Sequence, residues 1–291
     1  MERSGASLRR QPRPQAQGRS SPPGLAGHRR QHPLSTHPVT RETPNRVVSL
    51  VPSLTESVVF LGAGERLIGR TRYCVEPAGA LAHVPTLGGT KDPAVEDIVA
   101  LCPDLVLVSA EENRIEDVER LSSAGLRIEN YHPRSVDDAA AAMQRLGESL
   151  GRPEPAMELA RSCRKAAALV RDGFKRRGVR TFCPVWRRPW MTFGKAVYVA
   201  DLLRTVGCEN IFDDVESDWF EVSLEDVVER RPDLVLLPDE PYAFSSAHAD
   251  ELSLAGLELP VVFIDGKDLS WYGPRLPGAL QRLAGLVAGA V

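Results

Sequence analysis

The sequence predicts an α/β protein in which two lobes with mainly parallel sheets are joined by one long rigid helix. Three observations carry this expectation. Residues 95–108 (VEDIVALCPDLVLV) reappear as residues 224–237 (LEDVVERRPDLVLL), an offset of 129. Each copy reads as a short helix, a Pro-Asp turn and a Val/Leu run short enough for a buried parallel strand. Residues 154–178 place Met157, Ala160, Cys163, Ala167, Val170 and Phe174 at three- and four-residue steps with charges opposite, the period of an amphipathic helix. At ~1.5 Å per residue this spine would run roughly 35 Å and would not hinge like a flexible linker. A weaker echo relates 61–69 (LGAGERLIG) to 206–212 (VGCENIF), each a helix stopping at glycine before a strand. Two lobes on one helix make a clamshell, and the gap between them is the expected ligand site.

The expected organisation is a basic tail over 1–45, an N-terminal lobe over 46–134, a helical connection over 135–178 and a C-terminal lobe over 179–291. With 291 residues, 43% hydrophobic and 26% charged, the chain is long enough for two lobes with cores of their own. The net charge of −3 hides an asymmetry: residues 1–46 hold nine arginines against two glutamates, a net of +7, leaving −10 for the remainder. An acidic folded part argues against nucleic acid as a partner. The Pro-, Arg-, Ser- and Gln-rich tail has too few large apolar residues to fold and is expected to be disordered. It lacks the apolar core of a secretory signal, so the chain as written points to the cytoplasm; a start further downstream would leave an extracytoplasmic location open. The five cysteines show no zinc or disulfide spacing, and Cys102, Cys163 and Cys208 are expected in cores. No resident cofactor or metal is expected, and the protein is expected to be a monomer.

Taken in order, Arg46 to Val51 reads as the first strand, and Ser53 or Thr55 is placed to cap the helix that follows. The free N–H groups of that helix would point into the gap. Leu67 to Thr71 is the next strand and delivers Arg72 and Tyr73 to the same edge, where loops carry function. The glycine-bearing loop HVPTLGGTKDP (83–93) carries Lys91 and lacks a phosphate-binding pattern, so it reads as backbone approaching a ligand. The first repeat copy ends in Glu111, Glu112, Asn113 and Arg114. A strand over Leu126 to Tyr131 delivers His132, and Ser135 caps the next helix.

The second lobe opens with the most unusual composition in the chain, TFCPVWRRPWMTFGKAVYVADLL (181–203). Trp186, Trp190, Phe193 and Tyr198 crowd a protein that is only 6% aromatic, interrupted by Pro184 and Pro189. Two prolines exclude a regular strand or helix interior, so the rings are expected to be displayed on a loop. Packing as a hydrophobic plug is the competing reading. Trp219 and Phe220 precede the second repeat copy. A strand over Leu259 to Ile264 leads to Trp271, Tyr272 and Arg275, again aromatics beside a cation. All four tryptophans thus fall in loops expected to face the gap.

RVVSLVPSLTE, the IVALCPDLVLV block, MTFGK leading to GCENIF, WFEVSLEDVV and the closing SWYGPR together resemble the helical-backbone metal receptor superfamily over about residues 46–291. These are the cobalamin, haem and ferric-siderophore binding proteins of ABC importers, and the cobalamin-binding member is nearest. The resemblance implies a class III periplasmic-binding-protein fold that grips a large flat ligand with little hinge motion. It implies cobalamin contacts at Tyr73 and Trp219, and docking of Glu96 and Glu225 on arginines of a dimeric permease. Leu87 to Gly89 stand where the cobalamin binder has a stacking tryptophan, and the GGTKDP and EENR segments look more like a signal-less subgroup. The leading expectation is non-catalytic binding of a corrinoid, another tetrapyrrole or a ferric chelate by Arg72, Tyr73, Lys91, Trp186, Trp190, Phe193, Trp219, Phe220, Trp271, Tyr272 and Arg275. The competing expectations are a cleft enzyme using Glu111, Glu112, His132, Asp239 and Glu240, which lacks any nucleophile-base spacing, and a cytoplasmic regulatory protein.

Overall fold

A computed structural model describes residues 42–173 and 178–291. The tail over 1–41 and the last turn expected of the spine, Phe174 to Arg177, lie outside the described residues.

The first lobe is a four-stranded parallel sheet in the order β2-β1-β3-β4, built from β1 (Val47–Ser49), β2 (Leu67–Arg70), β3 (Leu105–Ser109) and β4 (Ile128–Tyr131). Helices α1 (Pro52–Phe60), α2 (Val95–Ala100) and α3 (Ile115–Ser123) connect the strands. Then α4 (Val136–Ser149) and the spine α5 (Pro153–Gly173) cross to the second lobe. That lobe has a parallel sheet in the order β10-β9-β5-β7, from β5 (Val179–Phe182), β7 (Cys208–Asn210), β9 (Leu234–Pro238) and β10 (Val261–Ile264). An antiparallel ribbon of β6 (Met191–Phe193) and β8 (Trp219–Glu221) stands beside it. Helices α6 (Tyr198–Thr205), α7 (Leu224–Glu229), α8 (Ser246–Leu254), α9 (Gly266–Ser270) and α10 (Leu276–Ala290) complete the chain.

The internal repeat extends to backbone detail. Cys102 and Arg231, 129 residues apart, both adopt left-handed backbone (φ 44° and 49°) just before the Pro-Asp turn. Such a conformation costs an ordinary L-residue roughly 1–2 kcal/mol and persists only where its surroundings impose it. The constraint is visible: Asp104 Oδ2 accepts from Arg46 N at 3.0 Å, and its counterpart Asp233 Oδ2 accepts from Arg180 N at 3.2 Å. Arg46 and Arg180 in turn donate to the carbonyls of Leu101 and Arg230, again equivalent positions. Gly62 and Gly207 likewise both take positive φ, 73° and 88°, where α1 and α6 end.

Several local expectations are corrected. Neither Ser53 nor Thr55 caps α1: Pro52 occupies the first turn, Val51 stands at the cap without a side-chain acceptor, and Thr55 Oγ1 turns back to Val51 O at 3.0 Å. Cys102 is exposed, because the turn that precedes β3 holds it at the surface, whereas Cys163 and Cys208 are buried. In the 83–93 loop glycine is needed by the chain itself, whatever else the loop approaches: a Cβ at Gly88 would strike Asp92 O, and one at Gly89 would meet Asp92 and Arg72. Ser135 does cap α4, its hydroxyl accepting from Asp138 N at 3.0 Å.

The lobes do not have wholly separate cores. One cluster runs from Val47, Leu54 and Tyr131 through Met143, Cys163 and Ala167 to Leu202, Tyr272 and Leu280. Satellite clusters sit on the far side of each sheet, around Val106 and Ile98 in lobe one and around Phe182 and Trp190 in lobe two. The seam between lobes is tight where Gly273, at φ 123°, lies against α1, so that a Cβ there would overlap Ser57 Oγ. Gly273→Ala combines that overlap with a backbone angle that L-residues avoid. It should cost about 1–3 kcal/mol, read as a lowered midpoint in urea unfolding; an unchanged midpoint would show that the seam yields.

Candidate functional site

Parallel strands in both sheets send their carboxyl ends toward the slot between the lobes, the place where open α/β sheets bind ligands. From lobe one come Arg72 to Glu76 after β2, Glu111 and Glu112 after β3, and His132 and Arg134 after β4. From lobe two come Asp239 and Glu240 after β9, and Lys267 and Trp271 after β10. Among the described residues three ion pairs cross the seam. Arg275 grips Glu56 through two bonds of 2.8 and 3.0 Å, Lys267 Nζ lies 2.7 Å from Glu76 Oε1, and Arg134 lies 2.8 Å from Asp218 Oδ2.

The ring-bearing residues divide sharply. Trp219 is 37% exposed, held edge-on against Phe193 at 5.8 Å, and follows Asp218, which bonds to lobe one. Tyr73 is 52% exposed, with the Arg72 guanidinium 4.9 Å from its ring centre. One exposed ring thus stands on each lobe, Tyr73 beside the Arg72 guanidinium and Trp219 backed by Phe193. Trp186 is also exposed, edge-on to Tyr242 at 5.5 Å.

Display of the remaining rings is corrected. Trp190, 6% exposed, stacks on Phe244 at 5.7 Å inside the second-lobe cluster, so its faces are spent on packing. Phe193 is fully buried and acts as the support beneath Trp219. Phe220 is half-buried against Phe212 at 5.5 Å. Tyr272 is buried edge-on to Tyr198, and Trp271, 7% exposed, lies between the cations of Lys267 and Arg275 at 5.5 and 5.1 Å. The prolines did exclude regular structure from 183–190. They did not push the rings outward, because the ribbon of β6 and β8 folds Trp190 and Phe193 back into the lobe.

The cations expected at the site are engaged. Arg72 pairs with Asp92 at 3.0 Å, Lys91 Nζ donates to the Glu111 carbonyl at 2.8 Å, and Arg275 is committed to Glu56. The acids carry the unusual electrostatics. Burial pushes the Glu112 carboxyl up to about 8, with neighbouring Glu111 and Glu240 adding to the effect and Lys91 opposing it. Burial also raises Glu111, against His132 and Arg134, and raises Glu240, against the Trp271 indole. His132 Nε2 lies 3.3 Å from Glu111 Oε1. Among the described residues no group of three or more His, Cys, Asp or Glu is arranged to hold a metal ion. The cluster of raised acids was not weighted as a binding feature in the sequence. The cue was there in the repeat, since Glu111 and Glu240 are 129 residues apart and so end equivalent strands.

A two-lobed α/β body of parallel sheets joined by one long helix is the architecture of a substrate-binding protein of the long-helix class. The chain belongs to the periplasmic binding protein family, whose profile matches residues 47–253; its members are solute-binding and non-catalytic. It is 29% identical over 245 residues to the vitamin B12-binding protein of Pectobacterium carotovorum subsp. carotovorum (strain PC1), covering 82% of this chain and 87% of that one. The same fold occurs in the periplasmic vitamin B12 binding protein of Vibrio cholerae (TM-score 0.73, 22% identity, 85% of this chain and 98% of that one). It occurs also in the periplasmic heme-binding protein of Roseiflexus sp. RS-1 (TM-score 0.74, 22% identity, 84% and 98%).

The raised Glu112 makes stability depend on pH with a definite sign. An unfolded glutamate titrates at 4.5 and the folded one at about 8, so the folded state holds the proton more tightly. Its contribution is fully present below about 4.5 and is lost as pH rises to about 8. Glu112→Gln should therefore match the wild type near pH 4.5 and exceed it near pH 8, by on the order of 1–2 kcal/mol in chemical unfolding. Equal stability of the two at both pH values would show that the carboxyl is freely solvated.

Proposed function

We propose that this protein is a receptor that binds a corrinoid in the slot between its lobes and delivers it to the permease of an ABC importer. The observation that supports the reading is an exposed ring on each lobe, Tyr73 on one and Trp219 on the other, in a body whose lobes are tied by the spine and by cross-lobe ion pairs; the reading sets both rings against the ligand. A flat macrocycle gives such rings apolar area at ~25 cal/mol per Å², and each offset aromatic contact adds ~0.5–1.5 kcal/mol. The naming of the Pectobacterium relative as a vitamin B12-binding protein supports the same ligand class. Haem and ferric chelates share the flat or bulky metal-chelate shape and are the ligands to compare against.

Delivery is supported by Glu96 and Glu225. They stand in the first turns of α2 and α7, which are the helices of the two repeat copies, and both are exposed. Arg120 bonds to Glu96 on the lobe-one face, while a helix-start glutamate is favoured in any case by the helix dipole. Two carboxylates related by the internal repeat suit a partner with its own two-fold symmetry.

Tryptophan fluorescence during titration with cyanocobalamin tests the reading. Saturable quenching is expected, and Trp219→Ala should weaken binding by about tenfold, the equivalent of about 1.4 kcal/mol. A folded protein that shows no response to cobalamin would sink the corrinoid assignment.

A further inference from the structure

The repeat that relates the lobes breaks at one buried side chain. Asn113, 5% exposed, follows β3 in lobe one, and its amide ties three separate backbone segments together. Oδ1 accepts from Ser109 N at 2.8 Å, and Nδ2 donates to Thr90 O at 3.0 Å and to Leu50 O at 3.3 Å. These partners fix the orientation of the amide, since one is an N–H and two are carbonyls. A carboxylate of the same shape would face both carbonyls with no proton to give. At the offset of 129, Pro238 stands for Ser109 and Tyr242 for Asn113, so lobe two has neither the N–H nor the amide. The equivalent helix-turn-strand unit closes without such a pin, so what the amide secures is the set of loops particular to lobe one.

Among them is the 83–93 loop. Asn113 holds it at Thr90, and the next residue is clipped as well, Lys91 Nζ donating to Glu111 O at 2.8 Å. The pinned loop presents Asp92, whose carboxylate takes the Arg72 guanidinium through contacts of 3.0 and 3.1 Å, and Gly88 O, which accepts from Arg72 N at 2.9 Å. Arg72 in turn lies against Tyr73, its guanidinium 4.9 Å from the ring centre and its Nη2 3.4 Å from the hydroxyl. The Arg72–Asp92 pair is exposed on both sides and holds little by itself, so Arg72 is only as fixed as the loop that presents its partners. A run of bonded contacts thus leads from the exposed Tyr73 ring back to a buried amide.

We infer that Asn113 is a positioning residue: by fixing the 83–93 loop it sets where Arg72 and Tyr73 stand, and with them the lobe-one side of the ligand contact. The first half concerns the free protein; the second rests on the receptor reading, in which Tyr73 meets the ligand.

Two measurements on the full chain test this. The amides of Arg72, Leu87 and Ala94 are hydrogen-bonded between the 70–74 and 87–94 segments or within them. In ligand-free protein, hydrogen exchange read by mass spectrometry should be at least about tenfold faster in Asn113→Ala than in the wild type over 70–74 and 87–94, and unchanged over 234–238 in lobe two. Unchanged exchange in the lobe-one segments, or equal acceleration in both lobes, would overturn the positioning role. Cyanocobalamin binding is then measured in double-mutant cycles. Tyr73→Ala and Asn113→Ala should each weaken binding about fivefold, and the double variant no more than about tenfold, where independent effects would multiply to about 25-fold. Asn113→Ala combined with Trp219→Ala, on the other lobe, should multiply in full, to about 50-fold. No loss of affinity in Asn113→Ala, or a Tyr73 cycle that multiplies as fully as the Trp219 one, would contradict the proposal. If the wild type does not bind cyanocobalamin, the receptor reading falls and the exchange result alone decides on Asn113. Should Asn113→Ala fail to fold, Asn113→Ser, which keeps one donor, takes its place in both measurements.

Discussion

The close seam between Gly273 and α1, closed by the buried Glu56–Arg275 pair, is the constraint on which the rest of the architecture depends. Both partners of that pair are largely withdrawn from water, at 12% and 16% exposure, and they meet in a two-bond fork. Desolvation offsets much of the Coulomb gain of such a pair, so its main effect is geometric: removing one partner would strand a buried charge, and sliding the lobes would break both bonds. The spine adds a second fixed dimension, about 32 Å of helix at ~1.5 Å per residue, packed against α4 and α10. With one cluster of buried side chains continuing through both lobes, the slot is a feature of a single core.

A slot of set width explains how the aromatic residues are shared out. Rings that brace the walls are buried, and a few, Tyr73, Trp186 and Trp219, are left partly exposed. Phe193 and Trp219 show the division at short range: the first is sealed in the core, and the second stands on it at 5.8 Å with its outer face open. Trp190 and Phe244 stack within the lobe-two cluster in the same bracing role. The ion pairs Glu76–Lys267 and Arg134–Asp218 stand at the rims, where partial exposure lets them break and reform at little cost.

Much of this was legible in the sequence, and the reason is repetition. The 129-residue offset predicted two equivalent helix-turn-strand units, and the structure reproduces the pairing of Cys102 with Arg231 and of Asp104 with Asp233. The spine was legible because an amphipathic period sustained over many residues has few other readings. What escaped was long-range. The burial of Trp190, Phe193 and Tyr272 follows from the β6 and β8 ribbon and from the seam, contacts between residues far apart in the chain that no local pattern encodes. Helix α10 escaped because its alternation of leucine with alanine and glycine carries no cap or charge signal. The electrostatics of the acids escaped for a third reason: Glu111, Glu112 and Glu240 stood in the sequence as acid/base candidates of a cleft, but the burial and neighbouring charges that raise them come only with the fold.

Fixed lobe separation is the central physical claim, and an interlobe distance tests it most directly. Spin labels at Ser123→Cys on α3 and Ser253→Cys on α8, in a background where the exposed Cys102 is replaced by serine, report that distance by double electron–electron resonance. A single narrow distribution that moves by less than about 3 Å when a corrinoid is added is the expected result. A broad distribution, or a shift of about 10 Å or more on binding, would reveal a hinge and contradict the account.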